Sequence, residues 1–190
     1  MINMKEIKFI GRGGQGGKSA AAILAEAAME KGDYIQSFPE YGAERQGAPV
    51  YAYTRIDQEE IRIHSGITNP EIVAVLDSTL LTALPVTQGM PDNGVLVVNT
   101  VDAPQQVRDK INFTKGRVFT VDATGISMDC FGKNIPNTPM LGAIEKATGL
   151  VTLDVLKKKI SDKFLRKLGQ EAVDKNLEAI QRAYDEVKEG

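Results

Sequence analysis

The sequence of 190 residues has one cysteine, one histidine and no tryptophan. Cys130 by itself cannot close an internal disulfide, hold an iron–sulfur cluster or build a cysteine-based zinc site. His64 leaves no imidazole pair for a metal, so no metal site is expected. Apolar runs stop far short of the roughly 18–20 residues that a membrane helix needs. Met1 to Phe9 has no apolar core of signal-peptide length. A cytoplasmic protein without membrane contact is expected. Lysine and arginine number 23 against 25 acidic residues, a formal net charge of −2. No block of five or more basic residues occurs, so the electrostatic footprint of a nucleic-acid binder is missing.

The remainder is ordinary globular composition, 42% hydrophobic and 25% charged. Such a chain can bury a core without disulfides or metals. No repeat, low-complexity linker or composition break appears, which points to a single domain over residues 1–190. Met4 to Ile10 reads as a buried strand. Ser19 to Lys31 reads as an Ala-rich helix with Ile23, Leu24, Ala27 and Ala28 on one face, followed by Gly32 at a left-handed C-cap position. Tyr34 to Phe38 reads as a second strand. Val50 to Ile56 and Ile61 to His64 flank the polar stretch Asp57 to Glu60 as a hairpin. Glu71 to Leu76, Val95 to Asn99 and Arg117 to Val121 are continuous apolar strands that end at polar residues. Leu141 to Thr148 and Leu153 to Lys167 read as helices. Val173, Leu177, Ile180, Tyr184 and Val187 form the apolar stripe of a terminal helix.

This pattern predicts an α/β fold with a mostly parallel central sheet, flanking helices and a helical C-terminal third. Ligands of such sheets sit at the carboxyl ends of the strands. Gly11-Arg12-Gly13-Gly14-Gln15-Gly16-Gly17-Lys18-Ser19 stands there, between the first strand and the first helix. Gly11, Gly13 and Gly16 satisfy the G-x-G-x-x-G pattern, can take positive φ and let amides approach a phosphate. Arg12 and Lys18 add mobile cations, and Ser19 can cap or donate. Three readings stay open on these residues alone. A P-loop has its Gly-Lys-Ser tail, but its leading glycine position falls on Arg12. A dinucleotide site has Glu40 near the acidic position, but a proline precedes it. A tight strand–helix turn without any ligand is the third.

A second segment, Phe38-Pro39-Glu40-Tyr41-Gly42-Ala43-Glu44-Arg45-Gln46-Gly47-Ala48-Pro49, follows the second strand. A third is Ile135-Pro136-Asn137-Thr138-Pro139-Met140-Leu141-Gly142-Ala143. Taken with Gly11 to Gly16, these resemble the gamma subunit of 2-oxoacid:ferredoxin oxidoreductases, in the pyruvate (pyruvate synthase) branch, over about 185 residues. The resemblance implies a non-redox accessory subunit, not catalytic alone. Its complex converts pyruvate, coenzyme A and oxidised ferredoxin to acetyl-CoA, CO2 and reduced ferredoxin, and runs in either direction in anaerobic metabolism. It implies alpha, beta and delta partner subunits that hold thiamine diphosphate, Mg and 4Fe-4S clusters. Coenzyme A is then a shared ligand, and ferredoxin is met only indirectly. A complex for 2-oxoisovalerate or 2-oxoglutarate, and a stand-alone nucleotide-binding protein, are the alternatives.

On that resemblance the coenzyme A-binding residues are Gly11, Arg12, Gly13, Gly14, Gln15, Gly16, Lys18, Ser19, Arg45, Gln46 and Gly47. Gly13 to Gly16 offer amides, Lys18 and Ser19 donate from the helix start, and Arg45 clamps a phosphate. Gln46 and Gly47 shape the second loop. Gln46 stands where many relatives carry a second basic residue. Competing structural roles are a solvated Lys18, an Arg45 paired with Glu40 or Glu44, and Asn137 and Thr138 as caps of a helix beginning near Pro139. Asp77 and Asp122 either line the ligand edge or cap the next helix. Cys130 reads as a small core residue, and His64 as a structural or exposed residue at a strand end.

Overall fold

The computed structural model describes residues 4–40 and 48–190. Seven strands form one sheet: β1 (Lys5–Arg12), β2 (Tyr34–Glu40), β3 (Pro49–Asp57), β4 (Ile72–Val75), β5 (Val95–Asn99), β6 (Arg117–Val121) and β7 (Lys188–Glu189). Their order is β2-β3-β1-β4-β5-β6-β7. The central four, β1, β4, β5 and β6, run parallel. β3 and β2 at one edge and β7 at the other pair antiparallel. The helices are α1 (Gly17–Glu30), α2 (Pro104–Ile111), α3 (Ala123–Phe131), α4 (Asn137–Thr148), α5 (Leu153–Leu168) and α6 (Gln170–Glu186).

The continuous apolar runs of the central strands follow from burial on both faces. Along β4, Ile72 and Ala74 face a core shared with α1 and α3 to α6, while Val73 and Val75 face a second core under α2 and residues 78–91. Strands covered on both sides have no polar face to alternate with. Small residues on α1 let the helix lie close on the sheet, with Ala20, Ala21, Ile23, Leu24, Ala25, Ala27 and Ala28 buried. Gly32 follows the helix with φ +94, as its position predicts. α4 lies against α6 so closely that a Cβ at Gly142 would stand 2.2 Å from the Ile180 carbonyl oxygen. The third sequence motif thus marks a helix crossing as well as a helix start.

Three sequence expectations change. β3 pairs with β2, from Tyr34 opposite Asp57 to Glu40 opposite Tyr51, and residues 61–64 form no strand. The reason is Arg55, fully buried on β3 and ion-paired to Glu6 at 2.8 Å. Its guanidinium donates to the carbonyls of Ile63 and Ser65, and Gln36 Nε2 donates to the Ile63 carbonyl at 2.9 Å. Side chains, not a strand, therefore satisfy that segment, and His64 lies exposed within it rather than at a strand end. α2, α3 and β7 escape the sequence pattern. α2 is a short helix opened by Pro104, with Gln106 Oε1 accepting from the Ala103 N–H. α3 is short, and its one buried face, Ala123, Ile126, Ser127 and Cys130, is made largely of small and polar residues, so it shows little apolar stripe in the sequence. α4 starts at Asn137 behind Pro136, earlier than expected. Pro139 is tolerated there because first-turn amides have no intrahelical partner. Cys130 is a buried core residue, as expected.

Candidate functional site

The carboxyl ends of β1, β4, β5 and β6 share one edge of the sheet. At that edge β1 ends at Arg12, and the chain turns through residues 13–16 into α1. Gly14 (φ +89) and Gly16 (φ +80) supply the left-handed conformations. Gly11 instead lies within β1 opposite Val50, and Gly13 has no positive φ, a correction to the roles that the G-x-G-x-x-G spacing predicts. The turn separates two clefts of different chemistry.

The first cleft, about 430 Å³, lies over the strand ends and is lined by Gln15, Asp77, Thr79, Asn99, Asp122 and Thr124 among others. Its polar groups bond to one another. Asp77 accepts from Arg12 Nε (3.2 Å), Gln15 Nε2 (3.0 Å), Thr79 N (3.0 Å) and the Thr79 hydroxyl (2.6 Å). Gln15 Oε1 accepts from the Arg12 N–H at 2.7 Å, and the Gln15 N–H donates back to the Arg12 carbonyl. Burial disfavours ionisation of Asp77, but the Thr79, Gln15 and Arg12 donors outweigh it and hold its carboxyl below the usual range. Asn99 donates to the Leu76 carbonyl and Thr124 Oγ1, both at 2.8 Å, and accepts from the Thr124 N–H. Asp122 caps α3 by accepting from the Gly125 N–H. Asp77 and Asp122 thus do both things considered for them: each caps the next turn and lines this edge. Arg12 is correspondingly not the mobile cation expected, because Asp77 and Thr79 hold it. The Gln15 amide closes the turn instead of facing outward.

The second cleft, about 500 Å³, opens on the other side of the turn between the start of α1, the start of α4 and the α5–α6 corner. Ser19, in the first turn of α1, lines it, as do Phe131, Ile135, Asn137, Phe164 and Leu168. Asn137 and Thr138 are not caps. Thr138 is buried, and its hydroxyl donates to Asn176 Oδ1 at 2.8 Å. Asn137 sits against the turn so tightly that a Cβ at Gly16 would stand 2.7 Å from its side-chain nitrogen. The first and third sequence motifs, 121 positions apart at this contact, thus meet here. Sequence reasoning missed Asn137 because an Asn beside a proline at a helix start is the ordinary pattern of a cap.

Lys18 and Ser19 occupy the first turn of α1 and are exposed. Arg45, Gln46 and Gly47 lie outside the described residues. The described ends of their segment adjoin the turn: Pro49 pairs with Arg12 and Glu40 with Tyr51. There Glu40 accepts a hydrogen bond from the Tyr53 hydroxyl, and the Phe38 and Tyr53 rings lie 5.3 Å apart. Among the described residues no group of three or more His, Cys, Asp or Glu side chains could hold a metal. No described helix is long and apolar enough to cross a membrane.

Residues 6–186 match the family described as pyruvate ferredoxin/flavodoxin oxidoreductase. Pyruvate synthase subunit PorC of Thermotoga maritima is 49% identical over 183 residues, which cover 96% of this chain and 94% of that protein. The pyruvate/ketoisovalerate oxidoreductases common subunit gamma of Thermococcus kodakarensis is 46% identical over 182 residues, covering 96% of each. Among solved structures, pyruvate oxidoreductase subunit PORC of Thermotoga maritima superposes with a TM-score of 0.87 at 45% identity, covering 98% of each chain. The 2-oxoglutarate:ferredoxin oxidoreductase of Magnetococcus marinus, with 2-oxoglutarate, coenzyme A and succinyl-CoA bound, shares the fold. Its TM-score is 0.72 at 19% identity, covering 96% of this chain and 30% of that one. With a family match over residues 6–186, a relative 49% identical over 96% of this chain and a shared fold, the chain belongs to the pyruvate ferredoxin/flavodoxin oxidoreductase family.

Proposed function

We propose that this chain is the gamma subunit of a pyruvate:ferredoxin oxidoreductase. That complex converts pyruvate, coenzyme A and oxidised ferredoxin to acetyl-CoA, CO2 and reduced ferredoxin. The subunit carries no catalytic group of its own. Residues 1–190 act as one gamma-type domain in the cytoplasm, against alpha, beta and delta subunits that hold thiamine diphosphate, Mg and 4Fe-4S clusters. Its own contribution is to coenzyme A. One observation carries this reading: the turn at residues 12–16, the start of α1 and the ends of the Arg45 segment converge on a single edge of the sheet.

The donors at that edge suit a phosphorylated ligand. Gly13, Gly14 and Gly16 supply backbone amides, α1 adds its N-terminal partial positive charge, and Lys18, Ser19 and Arg45 add side-chain donors. Gln46 and Gly47 shape the segment beside them. Bound there, coenzyme A supplies the thiol that accepts the acetyl group, while this chain holds the phosphates and orients the carrier.

The test is steady-state kinetics of the assembled complex with Lys18→Ala or Arg45→Ala. The expected result is a KM for coenzyme A raised several-fold with the KM for pyruvate unchanged. A coenzyme A KM unmoved by both changes would leave the subunit a scaffold for its partners.

A further inference from the structure

The core of this chain ends before one of its helices does. On α5, Leu156 and Ile160 are buried, and Phe164 packs partly against the same core. This spacing marks the inward face of the helix. The next positions of that stripe, Lys167 and Leu168, are exposed. No residue between Ile160 on α5 and Val173 on α6 is buried. Among the described residues, the last ion pair that ties α5 to another element joins Lys163 to Glu26 of α1 at 2.9 Å. The corner where α5 turns into α6 at Gly169 thus stands clear of the core as the tip of a helical hairpin.

The tip is apolar and basic at once. Leu165 is 48% exposed and Leu168 60%. Three positions apart, they are neighbours on the helix surface. From Lys157 to Leu168 the helix holds six cations against one carboxylate, Asp162, in a chain whose formal net charge is −2. Lys158, Lys159 and Lys163 are met by Glu30 and Glu26 of α1. Arg166 and Lys167 pair with no carboxylate among the described residues, so the unmatched charge gathers at the tip. An apolar centre with a charged rim is the layout of an interface patch. Its complement is an apolar depression edged by carboxylates. A second copy of this chain is a poor occupant, because a two-fold contact at the tip brings the same cations together. A bilayer is also a poor one, because two leucines are far less than the apolar face that an interfacial helix buries. Relatives of this chain are themselves subunits.

We propose that the α5–α6 tip, through Leu165, Leu168, Arg166 and Lys167, docks this chain into an acidic-rimmed apolar depression on another subunit of its complex. The proposal takes from the functional reading only that the chain works as a subunit, and it needs no coenzyme A. Leu165, Arg166 and Lys167 lie outside the cleft beside the glycine turn. The complex is expressed with equal amounts of the parent chain and one variant, and the ratio incorporated is read by intact-mass spectrometry. Leu165→Asp is expected to enter at least about tenfold less than the parent, as an interface anchor does. Arg166→Glu combined with Lys167→Glu is expected to enter about fivefold less, and Arg166→Lys to enter like the parent. These sites are exposed, so the isolated variants should keep the parent's thermal midpoint. Met29→Asp, at a site 53% exposed near the end of α1, should also enter like the parent. Equal entry of Leu165→Asp and the charge variant overturns the docking tip. Equal loss of Met29→Asp overturns it too, by assigning the effect to a damaged fold. Should Leu165→Asp fail to fold, the charge variant decides alone. Loss of a dimer of the isolated chain in Leu165→Asp with entry unchanged assigns the tip to a second copy. Binding of the parent but not the charge variant to anionic lipid vesicles, with entry unchanged, assigns it to a membrane surface. Either result overturns the proposal. A coenzyme A KM that responds to Lys18→Ala while the tip variants enter fully removes the tip and keeps the functional reading. A parent chain that enters no complex overturns both.

Discussion

The two clefts flanking the glycine turn differ in their lining: one is polar and internally hydrogen-bonded, the other largely apolar. On the Asp77 side each carboxylate and amide has found donors within the chain, so that network fixes the turn and joins β1, β4, β5 and α3. On the Asn137 side the carboxamide lines a largely apolar cleft and makes no hydrogen bond to a described residue. A satisfied buried network contributes rigidity, because a buried polar group is stable only when paired. Two carboxylates repeat the contrast. Asp77 is held below its usual range by several donors. Glu145, buried near the end of α4, has one backbone donor, the Val151 N–H at 3.1 Å, and burial pushes its carboxyl up to about 7.

The comparison breaks most visibly at Gly16. Alanine there combines a left-handed φ with a Cβ 2.7 Å from the Asn137 nitrogen. Gly16→Ala should cost about 2–4 kcal/mol, read as a shifted urea midpoint. A loss below about 1 kcal/mol would mean that the turn and α4 are not locked together.

Glu145 comes next. Its folded value of about 7 lies above the ordinary 4.5. The native chain therefore keeps a proton that the unfolded chain releases, and stability falls as pH rises between these values. Above pH 7 the whole penalty is present. Glu145→Gln keeps an acceptor for the Val151 N–H and removes the charge. It should raise Tm by about 3–6 °C at pH 8 and leave it nearly unchanged at pH 5. An equal gain at both values would show that charge burial is not the cause.

Asp77 should behave with the opposite sign. Its folded value is depressed, so its contribution is present above the ordinary 3.8 and disappears as pH falls through the folded value. Asp77→Ala should cost about 1 kcal/mol at pH 7, mostly through lost bonds to Thr79 and Gln15. The partly open Arg12 pair adds little. The gap between variant and parent in denaturation curves should narrow as the pH falls below 3.8. A gap independent of pH would assign the loss to packing instead. Gly13→Ala marks the smallest effect. Nothing lies within 4 Å of a Cβ there and its φ is not positive. Stability should change by less than about 0.5 kcal/mol. A larger loss would mean that the turn needs that glycine for its conformation after all.

Much of the fold was legible in the chain. The β4, β5 and β6 runs are apolar without alternation because both faces are buried, and each ends at a polar residue at the carboxyl edge of the sheet. α1 and α6 carry one-sided apolar patterns that period alone identifies. The β2–β3 pairing was not legible, since it depends on Arg55 and Gln36 drawing residues 61–66 away from the sheet. At the site, the glycine motif announced a turn but did not show that its left-handed residues are Gly14 and Gly16. Only the three-dimensional fold decides which residue takes φ +80 and what stands opposite it.

The sequence by itself determined the α/β class, the glycine turn between strand and helix, and the resemblance that names the family. All three are carried by local chemistry: burial on two faces, absence of a Cβ, and short motifs in fixed order. The tertiary structure alone decided that Arg12 is bound to Asp77, that Thr138 bonds Asn176 and that Asn137 stands against Gly16. Those outcomes are contests for hydrogen-bond partners among residues 38 to 121 positions apart. No local pattern fixes the winner, because each donor and acceptor has several chemically equal choices until the chain packs.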